Sequence, residues 1–324
     1  MAEVAHPLVS VGIPTYNQPE FLRQAIQSVL DQTFQNFEII VVDDCSTDNT
    51  PDIVQEFEDP RIHYHRTDTN LRPPRSWNEC ARLAKGKYFS ILPHDDLYKP
   101  KFLEKMVFAL EQNPNLGFAQ CAHTAVNENL NAIAERYISK DEFIARGEET
   151  LIIQTRRHYM NPASILYLKS CVDKYGFWET NYWDDEVLTL KIAFHEGFIY
   201  LPLILALVRA HSNNLSNILV SEQWDIVLEV INQQTAIFAA VLPMTSTLLK
   251  LRSQWNRQLG YSCIFYAIKE IAFGKWKNAK LFFRRAIYLY PCILVDPRLY
   301  LVAFKKIAIK IKDFLIKVSN LCLT

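Results

Sequence analysis

Across its first 125 residues the chain alternates short apolar runs with helical periods, and that alternation leaves few folds open. "LVSVGI" (8–13), "FEIIVV" (37–42), "RIHYHR" (61–66), "KYFSIL" (87–92) and "LGFAQCA" (116–122) read as strands. Between them, "PEFLRQAIQSVLDQ" (19–32) repeats Phe21, Leu22, Ala25, Ile26, Val29 and Leu30 at helical spacing, with Pro19 suited to a first turn. "PDIVQEF" (51–57), capped by Asp48 or Thr50, "SWNECARLA" (76–84) and "KFLEKMVFALEQN" (101–113) continue the helices. Nearly continuous apolar strands joined through helices predict crossover connections and a mostly parallel, Rossmann-like sheet flanked by helices. Ligands of such sheets gather at the carboxyl ends of the strands. The polar clusters "PTYN", "DDCSTD" and "PHDD" follow the first, second and fourth strands, so they share one edge, as in a nucleotide-type site.

Asp95 and Asp96 follow a strand as adjacent like charges. A solvated turn would relieve their repulsion. A hard cation such as Mg²⁺ or Mn²⁺ would use it, because such ions take one or two carboxylates together with substrate phosphates. A second acidic pair, Asp184 and Asp185, opens a helical period in "YWDDEVLTLKIAFHEGF" (182–198), where acids suit the positive end of the helix dipole. His63 and His65 share one face of a strand without further ligands and read as surface residues.

The motifs acquire meaning in combination. "IPTYN", "SVLDQT" and "VVDDCSTDNT", at these distances, closely resemble the amino-terminal signature of the family 2 glycosyltransferases, and "AKGKYFSILPHDDLYKPKFLEKM" resembles the family's run into its DXD-type metal motif. The resemblance covers residues 8–215. It implies a GT-A fold and inverting transfer from a nucleotide-diphosphate sugar, UDP- or GDP-linked, to a glycan or lipid-linked acceptor. Pro14, Thr15, Tyr16 and Asn17 would wall the base pocket, and Asp44 would accept a hydrogen bond from the base. Asp95 would meet the ribose or the cation's water shell, and Asp96 would hold Mn²⁺ or Mg²⁺. Asp185 matches the general base, with Asp184 as the alternative, and His211 in "LVRAHSNNLS" is implied as a metal ligand or diphosphate contact. Arg72 or Arg75 suits phosphate, Arg75 being preferred. One departure is visible: the family commonly carries an acid two places before Asp95, where this chain has Pro93 followed by His94. A catalytically silent GT-A-like protein that binds a glycan or a partner is the alternative to an enzyme. A nucleotidyltransferase is disfavoured because "VGIPTYN" lacks a glycine-rich phosphate loop.

Charge separates the rest of the chain. The formal net charge is zero, yet residues 240–324 carry fifteen Lys and Arg against Glu270, Asp296 and Asp313. The expected division is a catalytic domain over 1–219 and a basic α-helical region over 220–324. "SCIFYAIKEIAFGKWKNAKLFFRRAIYLYP" (262–291) reads as a helical pair, and "YLVAFKKIAIKIKDFLIKV" (300–318) as a basic amphipathic helix suited to anionic headgroups, to a partner or to the acidic domain. No signal peptide, membrane span or disulfide pattern is evident, and no nucleic acid is expected as partner. The expected location is cytoplasmic, with peripheral attachment at the inner membrane face through the basic helix.

Overall fold

A computed structural model describes residues 6–73, 75–156, 161–176, 184–211 and 276–293, with a discontinuous set of helical residues between 253 and 271. The chain divides into two compact units, Met1–Val230 and Ile231–Thr324.

The first unit follows the alternation. Strands β1 (Val9–Thr15), β2 (Phe37–Asp43), β3 (Ile62–Arg66) and β4 (Tyr88–Ile91) are separated by helices α1 (Pro19–Leu30), α2 (Thr50–Gln55) and α3 (Arg75–Leu83). Then come β5 (Leu97–Tyr98), α4 (Phe102–Gln112), β6 (Phe118–Val126), β7 (Ala132–Arg136), β8 (Phe143–Ala145) and α5 (Glu148–Arg156). β9 (Ile165–Leu168), α6 (Lys169–Tyr175), α7 (Asp184–Glu196) and β10 (Phe198–Arg209) complete the unit. One sheet runs in the order β3-β2-β1-β4-β9-β6-β10-β5, with β7 beside β6 and β8 beside β10.

The half built from β3, β2, β1 and β4 is parallel throughout, as crossover helices require. β9 then runs antiparallel to both β4 and β6, so the sheet as a whole is mixed. The stretch "FIYLPLILALVR" forms the single strand β10, parallel to β6.

Both faces of the sheet are covered at β1, β2 and β4, which explains why those strands lack a polar face. Along β2, Ile39 and Val41 join a core with Leu22, Ile26 and Val29 of α1 and Met106 of α4, whereas Ile40 and Val42 face Cys80 of α3 and Ile192 of α7. Burying each such aliphatic side chain contributes about 1.5–3 kcal/mol. Gly12 lets α3 approach β1 closely, since a Cβ there would sit 2.6 Å from the Cys80 Cβ.

In the second unit, Trp276–Leu289 is helical and buries Ala279, Phe282, Ala286 and Leu289, in keeping with the amphipathic pattern of that segment. Residues 300–318 lie outside the described residues. Among the described residues, no helix is long and apolar enough to cross a membrane.

Candidate active site

The strand ends meet where the parallel order predicts. β1 ends in the turn Pro14–Asn17, and Asn17 and Gln18 both take left-handed backbone conformations that swing the chain into α1. The Asp44 N–H donates to the Thr15 carbonyl (2.8 Å), the Asn17 N–H to Ser46 Oγ (2.9 Å) and the Thr47 N–H to Asn17 Oδ1 (3.0 Å). The "PTYN" and "DDCSTD" turns are therefore one hydrogen-bonded body. Pro14 and Thr15 are buried within it, while Tyr16 is 42% exposed.

Asp43 and Asp44 are both buried and well partnered. Asp43 accepts from the Ser46 N–H (2.8 Å) and the Tyr64 hydroxyl (2.5 Å). Asp44 accepts from the Leu71 N–H (2.6 Å) on one oxygen and the Arg72 N–H (2.7 Å) on the other. It thereby fixes the loop entering α3, and its oxygens retain lone pairs for a ligand. Arg75 stands exposed at the start of that helix.

Asp95 and Asp96 are arranged differently. The short strand β5 pairs antiparallel with β10, Leu97 opposite Leu207 and Tyr98 opposite Ala206, which carries the preceding acids alongside Arg209 and His211. Asp96 accepts from the Arg209 N–H (2.8 Å), and Asp95 Oδ2 lies 3.0 Å from His211 Nε2. Burial, then the charge of Asp95, pushes the Asp96 carboxyl well above its ordinary value, against the pull of Arg209. Burial also works to raise Asp95, but the His211 hydrogen bond and the charge of His94 and His211 outweigh it and hold that carboxyl low.

Arg209 was not singled out by the sequence reading, although the segment containing it was. It is 1% exposed, its guanidinium lies 4.1 Å over the Phe21 ring and Nη2 donates to Gln24 Oε1 (2.7 Å). Burial lowers its pKa while Asp95, Asp96 and Glu128 raise it, so a buried cation already faces the acid pair.

The structure thus brings Pro14, Thr15, Tyr16, Asn17, Asp44, Asp95, Asp96 and His211 to one edge of the sheet. Asp184 and Asp185 open α7, and their side chains lie outside the described residues. His63 and His65 are on the edge strand β3, near Glu38 and Glu79 respectively, away from the acid pair. Among the described residues, no three or more His, Cys, Asp or Glu side chains are grouped to hold a metal ion.

The comparisons with known proteins agree with this architecture. The profile described as "Glycosyl transferase family 2" matches residues 10–176, more than half of the 324-residue chain. TuaG of Bacillus subtilis (strain 168), a glycosyltransferase named for teichuronic acid biosynthesis, is 40% identical over 115 residues, which is 35% of this chain and 46% of TuaG. An uncharacterized glycosyltransferase of Methanocaldococcus jannaschii is 35% identical over 147 residues, 44% of this chain and 51% of that protein. The chain spans about half the length of these curated relatives. S. aureus TarS 1–349, solved in complex with UDP-GlcNAc, matches with a TM-score of 0.62 at 16% identity over 85% of this chain and 90% of that one. The mannosyltransferase PcManGT from Pyrobaculum calidifontis, solved with GDP-Man and Mn²⁺, matches with a TM-score of 0.56 at 14% identity over 95% of this chain and 81% of that one. These two likenesses are likenesses of fold, and the fold is GT-A. The matched segment runs from β1 to α6 and contains the three strand-end turns, and the chain belongs to glycosyl transferase family 2.

Proposed function

We propose that the chain transfers a sugar from a nucleotide-diphosphate sugar, UDP- or GDP-linked, to a hydroxyl of a glycan or lipid-linked acceptor, inverting the anomeric carbon. The observation that carries this reading is the Asp95–Asp96 pair, Asp96 buried and Asp95 partly buried, set at the edge of a family 2 sheet beside the Pro14–Asn17 turn. The donor classes follow from UDP-GlcNAc and GDP-Man in the two neighbours of like fold.

The acid pair fits a divalent cation. Asp96 is buried and its carboxyl is driven upward by burial and by Asp95, a penalty that a bound cation would remove. Two carboxylates are enough, because Mg²⁺ and its relatives complete their shells with water and substrate phosphate. Asp96 is the residue that would hold Mn²⁺ or Mg²⁺, with His211 as a further ligand or diphosphate contact. When bound, the ion would supply positive charge to the departing diphosphate.

The remaining roles belong to the chain. Tyr16 stacks on the base, Pro14, Thr15 and Asn17 wall it, and Asp44 accepts from a base N–H. Asp95 faces the ribose or the water around the cation, and Arg75 approaches phosphate. Asp185, with Asp184 as the alternative, takes the proton from the acceptor hydroxyl as that oxygen attacks opposite the leaving nucleotide. One displacement suffices, so no enzyme nucleophile is needed.

Two measurements test the reading. Donor hydrolysis or transfer should depend on Mn²⁺ or Mg²⁺; absence of nucleotide binding with and without metal would end the enzyme reading. Asp185→Asn should leave donor affinity near normal while transfer falls about 10²–10⁴-fold. Loss of affinity and transfer together would make Asp185 structural. In this proposal 1–219 is the catalytic domain and the basic region 220–324 attaches the enzyme to the cytoplasmic membrane face. Deleting 296–324 should then weaken binding to anionic liposomes and spare transfer to a soluble acceptor.

A further inference from the structure

The helix Trp276–Leu289 of the second unit has two faces of different kinds. One buries Ala279, Phe282, Ala286 and Leu289, which recur at helical spacing. It rests on the helical residues that precede it in the chain. The Phe282 ring lies 5.5 Å from the Tyr266 ring, and a Cβ on Gly260 would stand 3.3 Å from the Tyr290 Cβ and 3.5 Å from the Ala286 carbonyl oxygen. The core of the helical pair is therefore supplied by this face alone.

The opposite face exposes Lys277, Lys280 and Arg284. Interleaved with them are four exposed large apolar side chains: Trp276 at 66%, Tyr288 at 72%, Leu281 and Ile287. The helix contains no Asp or Glu, and none of the three cations has an ion-pair partner among the described residues. Single exposed apolar residues are ordinary on a protein surface, but four on one face of a fourteen-residue helix, mixed with unpaired cations, mark a contact surface.

Charge narrows the choice of what covers it. The segment that follows, 300–318, carries Lys305, Lys306, Lys310, Lys312 and Lys317 against Asp313 alone, so it would repel this face, as would the same face of a second copy. The occupant has to supply negative charge and receive apolar side chains in one plane. An anionic bilayer does both: headgroup phosphates meet the ammonium and guanidinium groups, and tryptophan and tyrosine rings settle at the interface. Trp276 and Tyr288 are about 18 Å apart along the axis, near opposite ends, which suits a helix lying flat.

We infer that this face is a membrane-contact surface, with Lys277, Lys280 and Arg284 on anionic headgroups and Trp276, Leu281, Ile287 and Tyr288 in the interface. The assignment rests on the membrane attachment proposed above and gives it a seat outside residues 296–324.

The test is co-sedimentation of the full chain with phosphatidylcholine vesicles, with and without phosphatidylglycerol. Wild type should bind the anionic vesicles, release them as NaCl is raised and leave the neutral ones unbound. The triple variant Lys277→Gln, Lys280→Gln, Arg284→Gln should bind the anionic vesicles about 10²-fold more weakly, close to fivefold for each charge removed. Trp276→Ala should weaken binding about tenfold, and it serves if the triple variant folds poorly. Lys277→Arg with Lys280→Arg keeps the charge and should bind as wild type does. Equal binding of wild type and the glutamine variant would overturn the assignment while leaving attachment through 300–318 standing. Equal binding of wild type to neutral and anionic vesicles would overturn it too, by removing the role of the cations. Self-association of wild type in place of vesicle binding, lost in the glutamine variant, would make the face a protein-docking surface instead. If wild type binds no vesicle and does not self-associate, the attachment reading itself falls and takes this assignment with it.

Discussion

Two pairs of adjacent aspartates close the strands on either side of β1, and they solve the same electrostatic problem in opposite ways. At the end of β2, Asp43 and Asp44 are 0% and 2% exposed, yet both oxygens of each accept hydrogen bonds from the protein. After β4, Asp96 is 4% exposed and accepts from one backbone N–H, while its carboxyl is held well above the ordinary value by burial and by Asp95. The first pair is satisfied from within and ties loops together. The second retains an electrostatic cost that added positive charge can relieve. The sequence looks alike in the two pairs, and Asp96 is nearly as buried as Asp43 and Asp44 although Asp95 is only partly buried; the supply of donors separates Asp96 from the first pair.

The largest expected difference is in turnover. Asp96→Ala should lower metal-dependent donor turnover by about 10²–10³-fold or more, with the melting temperature little reduced. Asp43→Asn should lower turnover only as far as it reduces the folded fraction. A steady-state assay paired with thermal unfolding checks both. Retained activity in Asp96→Ala would remove Asp96 from the cation site, and selective loss of activity in fully folded Asp43→Asn would dissolve the contrast.

Next in size is the stability cost at the first pair. Asp43 holds the turn in which Cys45 adopts a left-handed backbone (φ 65°), and the Thr67 N–H donates to its carbonyl at 2.9 Å. Removing the carboxylate weakens two hydrogen bonds to a charged acceptor. Asp43→Asn should therefore cost about 2 kcal/mol in denaturant unfolding. Asp96→Asn in metal-free protein at pH 8 should have the opposite sign and gain up to about 1 kcal/mol. The amide oxygen can still accept from the Arg209 N–H, and the second buried negative charge is gone. Destabilisation by both variants would mean that the second pair is as well compensated as the first, with Arg209 supplying the balance.

Most of the scaffold behind this contrast was legible from periodicity, because β1 to β4 and their helices are local patterns. "PEFLRQAIQSVL" needs only its apolar spacing and Pro19 to become α1. The acid positions were legible too, since strand ends follow once strands are placed. Their partners were not. Asp44 is satisfied by the backbone of Leu71 and Arg72, and no side-chain pattern marks a backbone donor from a distant loop. Arg209 reaches the second pair only because β5 pairs with β10, a two-residue register that leaves no periodic trace. β10 itself is buried along much of its length, so it lacks the alternation that identifies a half-exposed strand. The antiparallel course of β9 was not legible either, because four residues are too few to announce a direction.

The smallest prediction isolates one donor. Tyr64 stands on the edge strand β3, half exposed, and its hydroxyl donates to Asp43 Oδ2 at 2.5 Å. Burial and then Asp43 raise the phenol's pKa, so the group remains a neutral donor across the working pH range. Tyr64→Phe deletes that hydrogen bond and leaves the ring, the Ser46 N–H contact and the carboxylate in place. Because the vacated oxygen lies near an exposed strand, water can replace the lost donor and the cost should stay at or below about 1 kcal/mol. Nucleotide affinity should not change. A larger loss, or a change in affinity with the fold intact, would show that Asp43 faces the ligand, and the two aspartate pairs would then share one function.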